Sequence, residues 1–483
     1  MKTPEFILSS EDIHDHLSHI AQGDAPQTDA DRWVRAYYSQ PSKKLLWIDK
    51  AGADGRADTL LHELRQVNSI GLSEDAFGVA NIQRLLERLR SLDVDASDNH
   101  INAIAAQLEY RLTKACMRYC VGQRFGFLNP NELFNKLDVE KEDSVRQTIR
   151  YRQLFGMRIE RPTAAYSEMV RRMIVNDSVA ALLHDVQPTG AYYVRLQEML
   201  RETSDDSEQR IRILCNMERS RWRLREPMDE MGKHIVVNIP AYHLYAYGLD
   251  TVLHMRVVCG AQTTKTPLLD SEVEWFEVNP RWVIPSSIVE KDVIRHVGDS
   301  AYFARNKYEI FERATNKQLP VHAVSAEMLL SGKYRVSQQS GADNSLGRIV
   351  FRFKNPFSVF LHYTANPAAF QRQNRAISHG CVRVARPFEL AQYVLDKPDE
   401  WLLDRIRISM DLAPQTERGM EYLRKHRDDT EHKLVSYVPV QPHIPIYIIY
   451  HTLWPDESGT LRVWPDIYGY DQLMWSKLKF YLQ

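Results

Sequence analysis

The spacing of apolar positions changes character near residue 230. Before it, the spacing is helical. Leu60, Leu61 and Leu64 share one face of a segment that Asp58 opens, and Ile82, Leu85, Leu86 and Leu89 share another. The longest stripe is Ile101, Ile104, Leu108, Leu112 and Cys116, which predicts an amphipathic helix over 100–120. Segments 131–137, 141–155, 163–183, 192–202 and 207–222 continue the pattern. Together they predict an all-helical scaffold domain over 1–225.

Beyond Met231 a period of two takes over. His234–Pro240 and Tyr242–Tyr247 are β-branched or aromatic, and Thr251–Cys259 alternates. Further strands are expected at Glu272–Val278, Arg348–Phe353 and Pro356–His362, with a closing hairpin from Ile444–Tyr450 and Leu461–Trp464. Residues 286–340 read as helices and loops, an insertion that could cap a site. Pro387 suits the first turn of a helix over 388–395, and further helices are expected at 399–409, 415–426 and 470–481. The fold class is therefore α+β. A helical scaffold precedes a mostly β domain, 226–483, with a helical or loop insertion.

Composition excludes more than it suggests. The net charge of −1 gives no bulk electrostatic reason to bind nucleic acid. No apolar run reaches the eighteen residues that a membrane span needs. Glu11, Asp12 and Asp15 interrupt the start too early for a signal-peptide core. Cys116 and Cys120 lie one helical turn apart and read as core residues, since no His or Cys pair stands nearby at ligand spacing. Neither a metal nor a cofactor is expected.

The chemistry concentrates in Ser378-His379-Gly380-Cys381-Val382-Arg383-Val384, with fifteen residues separating Ser378 from His362. From Asn344 to Phe388 the chain has no Asp or Glu but seven cations: Arg348, Arg352, Lys354, Arg372, Arg375, Arg383 and Arg386. Such surroundings are expected to lower the Cys381 thiol toward a thiolate nucleophile. His362, arriving on a separate strand, is the better-placed base. His379 is too close in sequence to reach the thiol without awkward local geometry. Gly380, without a Cβ, lets backbone N–H groups of Gly380 or Cys381 approach an oxyanion. No acidic third member is apparent.

The His-x15-Ser-His-Gly-Cys-Val-Arg pattern resembles the L,D-transpeptidase (YkuD-type) family. The similarity extends to His234–Pro240, Met255–Gly260, Asn279-Pro280 with Trp282 and Pro285, Leu346-Gly347-Arg348, Gln371-Arg372 and Ile467-Tyr468-Gly469. These are similar to landmarks of the large YcbB-like branch, as are Val34–Tyr38 and Leu46-Trp47 in the helical half. The resemblance implies Cys381 as acylated nucleophile, His362 as base and Gly380 with Cys381 as oxyanion donors. It implies Ser378, His379, Arg383, Arg372, Arg375, Tyr363 and Trp282 as the substrate pocket. Peptidoglycan stem peptides would be the substrate, with terminal D-Ala released and an amine of a second stem as acceptor. Acylation by carbapenems is implied too, as is work in the periplasm or cell envelope with a targeting segment removed.

Two departures stand out. The branch usually carries a peptidoglycan-binding module between scaffold helices, but here 192–202 runs almost directly into 211–222. Tyr363 also follows the base where Asp is frequent. Three functions follow: a crosslinking transpeptidase, an L,D-carboxypeptidase or crosslink-cleaving hydrolase on the same residues, and a non-catalytic envelope scaffold holding protein partners through its helices. Intact His362 and Cys381 disfavour the last.

Overall fold

Helix Ile101–Phe125 is the axis of the N-terminal half, in a computed structural model that describes all residues except 1–5, 41–42, 95–99, 144–147, 205–206, 227, 229–231, 249–250, 430–431 and 483. The expected one-sided stripe is burial on nearly every side, because Ala106, Met117 and Tyr119 are enclosed along with Ile104 and Leu112. Helices Ser10–Gly23, Asp29–Tyr38, Gly55–Leu64 and Val79–Ser91 pack around it. Its buried Glu109 accepts the N–H groups of Leu46 (2.5 Å), Trp47 (3.0 Å) and Ile48 (3.1 Å) and the Tyr38 hydroxyl (2.6 Å). The connecting loop is thereby sewn to the central helix. Cys116 and Cys120 are free and buried in this core.

Two helical expectations fail here. The segment 163–183 is two helices, Ala164–Val175 and Val179–Asp185, because Asp177 turns to φ +56° between them. The segment 141–155 contains strands. Val139–Asp143 pairs antiparallel with Thr148–Tyr151. Arg152 and Gln153 stand three and four residues after Ile149, so no apolar helical stripe is sustained through this segment. Ile149 is exposed, and Val145 lies outside the described residues.

The C-terminal half is built on ten strands among the described residues: β1 (Phe155–Gly156), β2 (His234–Asn238), β3 (His243–Tyr247), β4 (Val252–Gly260), β5 (Leu268–Val278), β6 (Ile349–Phe353), β7 (Leu361–His362), β8 (Ala376–Ser378), β9 (Val382–Val384) and β10 (Tyr437–Ile449). The pairing order β6-β7-β9-β4-β3-β2-β10-β5 returns to β6 and closes a barrel. β1 extends the β5 edge in parallel, and β8 runs parallel to the end of β4. Most pairs are antiparallel, but β7–β9 and β10–β2 are parallel. The inward positions, such as Ile235, Val237, Val257, Phe351, Leu361 and Val382, fill the barrel.

Two expectations about strands change. β7 is shorter than Pro356–His362 because Ser358 takes φ +55° just before it. The run Ile444–Tyr450 does not form the final hairpin. It is the buried end of β10, paired on both sides, which suits a continuous apolar run. Leu453–Pro455 is the partner of Leu461–Val463 instead.

The insertion also has more structure than helices and loops. Trp282–Val283, Tyr334–Gln338, Tyr308–Glu312 and Gln318–Leu319 form a separate sheet, in that order. Short helices Ser286–Lys291, Ser300–Arg305 and Ala326–Leu330 accompany it. Ile284, Val289, Phe303, Ile310 and Val336 give the insertion an apolar core of its own.

The two halves interlock. Phe134, Phe155 and Trp222 belong to the barrel's apolar core. The final helix, Tyr470–Leu482, returns to the helical half, where the Tyr481 carbonyl accepts from Ser73 N–H at 2.8 Å. Asp471 on that helix pairs with buried Arg219 at 2.6 Å. The period changes after Met231, but packing continues across that point.

Candidate active site

Strand alternation assembles the site. In the parallel β7–β9 pair, Leu361 faces Val382 and His362 faces Arg383. Val382 N–H donates to the Phe360 carbonyl at 3.2 Å, which sets Cys381 beside Phe360. Leu361 and Val382 point into the barrel. Period two then sends Phe360, His362, Cys381 and Arg383 to the opposite face. Arg352, from antiparallel β6, joins this face with its guanidinium 4.6 Å from the Phe360 ring centroid. The Phe360 and His362 rings are 5.7 Å apart.

The loop bearing Cys381 is held by its own backbone and two threonines. Ser378 is 3 % exposed. Its hydroxyl donates to the Cys381 carbonyl at 2.6 Å and accepts the Gly380 N–H at 3.1 Å. The Ser378 carbonyl accepts from Thr264 Oγ1 (2.7 Å) and from Ala261 N–H (2.9 Å). Thr266 Oγ1 donates to the Gly380 carbonyl at 2.8 Å. Gly380 has φ +119°, a conformation that side chains rarely adopt, so glycine is needed for its backbone and not for lack of space. Cys381 is the one partly exposed thiol among the five, and it lies 3.8 Å from the Ser358 carbonyl.

Residues 232–408, which bear this whole arrangement, match the L,D-transpeptidase catalytic domain, YkuD, and residues 32–200 match a Scaffold domain. Residues 232–408 are thus a YkuD L,D-transpeptidase catalytic domain, with a Scaffold domain before it. It is 30% identical over 289 residues to a Haemophilus influenzae protein named "Putative L,D-transpeptidase", covering 58% of this chain and 53% of that one. The chain thus spans about half the length of the curated relative that it matches.

The electrostatics of the YkuD domain differ from the sequence expectation. Four of the seven cations find carboxylates from outside their own stretch. Arg352 pairs with Glu277 at 3.0 Å, Lys354 with Glu274 at 3.0 Å and Arg386 with Glu389 at 3.1 Å, while Arg348 pairs with Asp411. Arg375 is 8 % exposed, and its guanidinium donates to the carbonyls of Val257, Arg372 and Tyr242. Arg372 is exposed. Arg383 is partly buried, has no carboxylate partner among the described residues, and holds its Nε buried without an acceptor.

Burial consequently dominates the cations. It pushes the Cys381 thiol up to about 11, although the Phe360 backbone, Arg352 and Arg383 all favour the thiolate. His362 is 5 % exposed. Burial, then Arg383, hold its imidazole down to about 3, against the opposing Tyr363 and Leu346 backbones. Its Nδ1 is buried without a partner. At neutral pH the resting pair is a thiol and a neutral imidazole, not a thiolate and an imidazolium.

The other expected pocket residues spread more widely. His379 is largely exposed, with Nε2 4.0 Å from Asp292 of the insertion, so that subdomain reaches the site's edge. Tyr363 stacks on Phe370, centroids 6.4 Å apart, and Trp282 packs on the insertion's core. Cys259 is fully buried in β4, with its thiol pushed up to about 12 by burial. A cavity of about 530 Å³ lies elsewhere, between Arg118, Phe127, Lys477 and Phe480. Sequence reasoning missed Phe360, which counting back two positions from His362 would have found. It also missed Thr264 and Thr266, for which the sequence carries no signal.

Proposed function

We propose that this chain is a cysteine acyltransferase acting on peptidoglycan stem peptides. The observation that carries the reading is Arg383, a cation without a carboxylate partner among the described residues, on the same face as Cys381 and His362. A partly buried guanidinium lacking an anion suits a substrate that brings carboxylates. Stem peptides bring several.

The chemistry divides among these groups. His362 takes the Cys381 proton as sulfur attacks the carbonyl of the L,D bond. The carbonyl electrons move to oxygen, and Cys381 N–H donates to that oxyanion. Gly380 N–H joins only if it leaves the Ser378 hydroxyl. Collapse breaks the C–N bond, the leaving D-Ala amine takes the proton from the imidazolium, and a thioester remains. An acceptor amine then attacks the thioester, passes its proton to His362 and releases the thiolate, which is reprotonated.

Peptidoglycan acts as the partner in this reading, and the cell envelope is the place of work. No helix among the described residues is long and apolar enough to cross a membrane. The helical half remains available to envelope proteins. Hydrolysis to a tripeptide would use the same residues, with water in place of the amine. Incubation with purified tetrapeptide muropeptide, followed by mass spectrometry, tests the reading. A crosslinked dimer lacking one D-Ala is expected. Tripeptide alone would replace transfer by hydrolysis. No product, together with no carbapenem adduct on Cys381, would overturn both.

A further inference from the structure

Thr266 stands outside the Ser-His-Gly-Cys stretch, on the loop between β4 and β5, and it holds one peptide plane of that stretch. Its Oγ1 donates to the Gly380 carbonyl at 2.8 Å and accepts the Gly260 N–H at 2.8 Å. Thr266 is itself fully buried. Its backbone N–H donates to the Tyr468 hydroxyl at 3.1 Å, and that hydroxyl donates to the Gly260 carbonyl at 2.6 Å. Both hydrogen-bonding roles of the Thr266 hydroxyl are thereby used.

The Gly380–Cys381 peptide is trans, so its C=O and N–H point in opposite directions. Anchoring the Gly380 carbonyl on Thr266 therefore aims the Cys381 N–H away from Thr266. That N–H has no hydrogen-bond partner among the described residues. The neighbouring donor, Gly380 N–H, is occupied by Ser378. We propose that Thr266 is the positioning residue for the oxyanion donor of Cys381. It touches neither substrate nor sulfur and acts through the Gly380–Cys381 peptide. The inference rests on the acyl-transfer reading above.

Its test separates two reactions of one thiol. Acylation by a carbapenem passes through a tetrahedral oxyanion, whereas alkylation by iodoacetamide does not. Thr266→Val keeps the shape and removes the hydroxyl. The expected result is acylation at least tenfold slower, with alkylation within about twofold of the parent rate, given that losing one oxyanion donor costs about 10²–10³. Thr266→Ser should restore acylation. Tyr468→Phe removes a hydroxyl from the same network without touching Gly380, so it should lower the melting temperature while leaving the ratio of the two rates unchanged. Equal slowing of both reactions in Thr266→Val, or the same altered ratio in Tyr468→Phe, would overturn the proposal. Failure of the acyl-transfer reading looks different, because the parent protein would then form no carbapenem adduct.

Discussion

Arg383 lies directly across from His362 in the parallel pairing of β7 and β9, and after burial it is the largest cause of the imidazole's low pKa. The same guanidinium favours the thiolate form of Cys381. One cation thus opposes protonation of the base and supports ionisation of the nucleophile.

Replacing Arg383 with Met should move the two groups in predictable directions. His362 should titrate closer to its ordinary value, as followed by NMR of labelled histidine. On the stem-peptide substrate, kcat/KM should fall by about tenfold or more, since a charge-assisted contact to a carboxylate is worth ~1.5–3 kcal/mol.

A resting thiol near 11 makes a specific pH profile. Alkylation of Cys381 by iodoacetamide should accelerate about tenfold per pH unit from 7 to 10, because each unit multiplies the thiolate fraction by ten below the pKa. A preformed thiolate–imidazolium pair would show a plateau across the same range. Stopped-flow alkylation with mass-spectrometric assignment to Cys381 distinguishes the two.

Glu277 neutralises Arg352, which otherwise would favour the thiolate more strongly. Glu277→Gln leaves Arg352 unpaired by that carboxylate. Alkylation at pH 8 should then rise about threefold, an effect of a nearby uncompensated charge. Added salt should shrink the difference, since the Arg352–Glu277 pair is partly exposed.

Two neutral imidazoles, His362 buried and His451 half-buried, also set an acid limit on stability. His362 and His451 both titrate near 3 in the folded chain, lowered chiefly by burial, against about 6.5 when unfolded. Above pH 6.5 neither state binds a proton at these rings, and their contribution is fully present. As pH falls from 6.5 toward 3, only the unfolded chain gains the proton. Stability should therefore drop by up to about 1.4 kcal/mol per pH unit per imidazole. Urea unfolding at pH 7, 6 and 5 measures the slope, and His451→Phe should reduce it.

Much of this protein is readable from local pattern. The change from helical spacing to alternation marks the two halves, because each period reports which face is buried. The Ser378–Val384 stretch with His362 and Gly380 is recognisable because the loop's positive φ at Gly380 and its reactive side chains are local requirements. Other features depended on partners distant in the chain. Seven cations in a stretch without an acid suggested a thiolate, but Glu277, Glu274 and Asp411 reach three of them only after folding. Burial, which no residue carries in its own sequence neighbourhood, then sets the resting protonation of Cys381 and His362. Thr266 meets Gly380 across 114 positions, so only tertiary structure could bring that hydroxyl to the peptide it holds. Sequence determined which groups can react, because chemistry and backbone preference are properties of single residues. Tertiary structure decided their charge state and aim, because field, burial and hydrogen-bond direction are properties of neighbours in space.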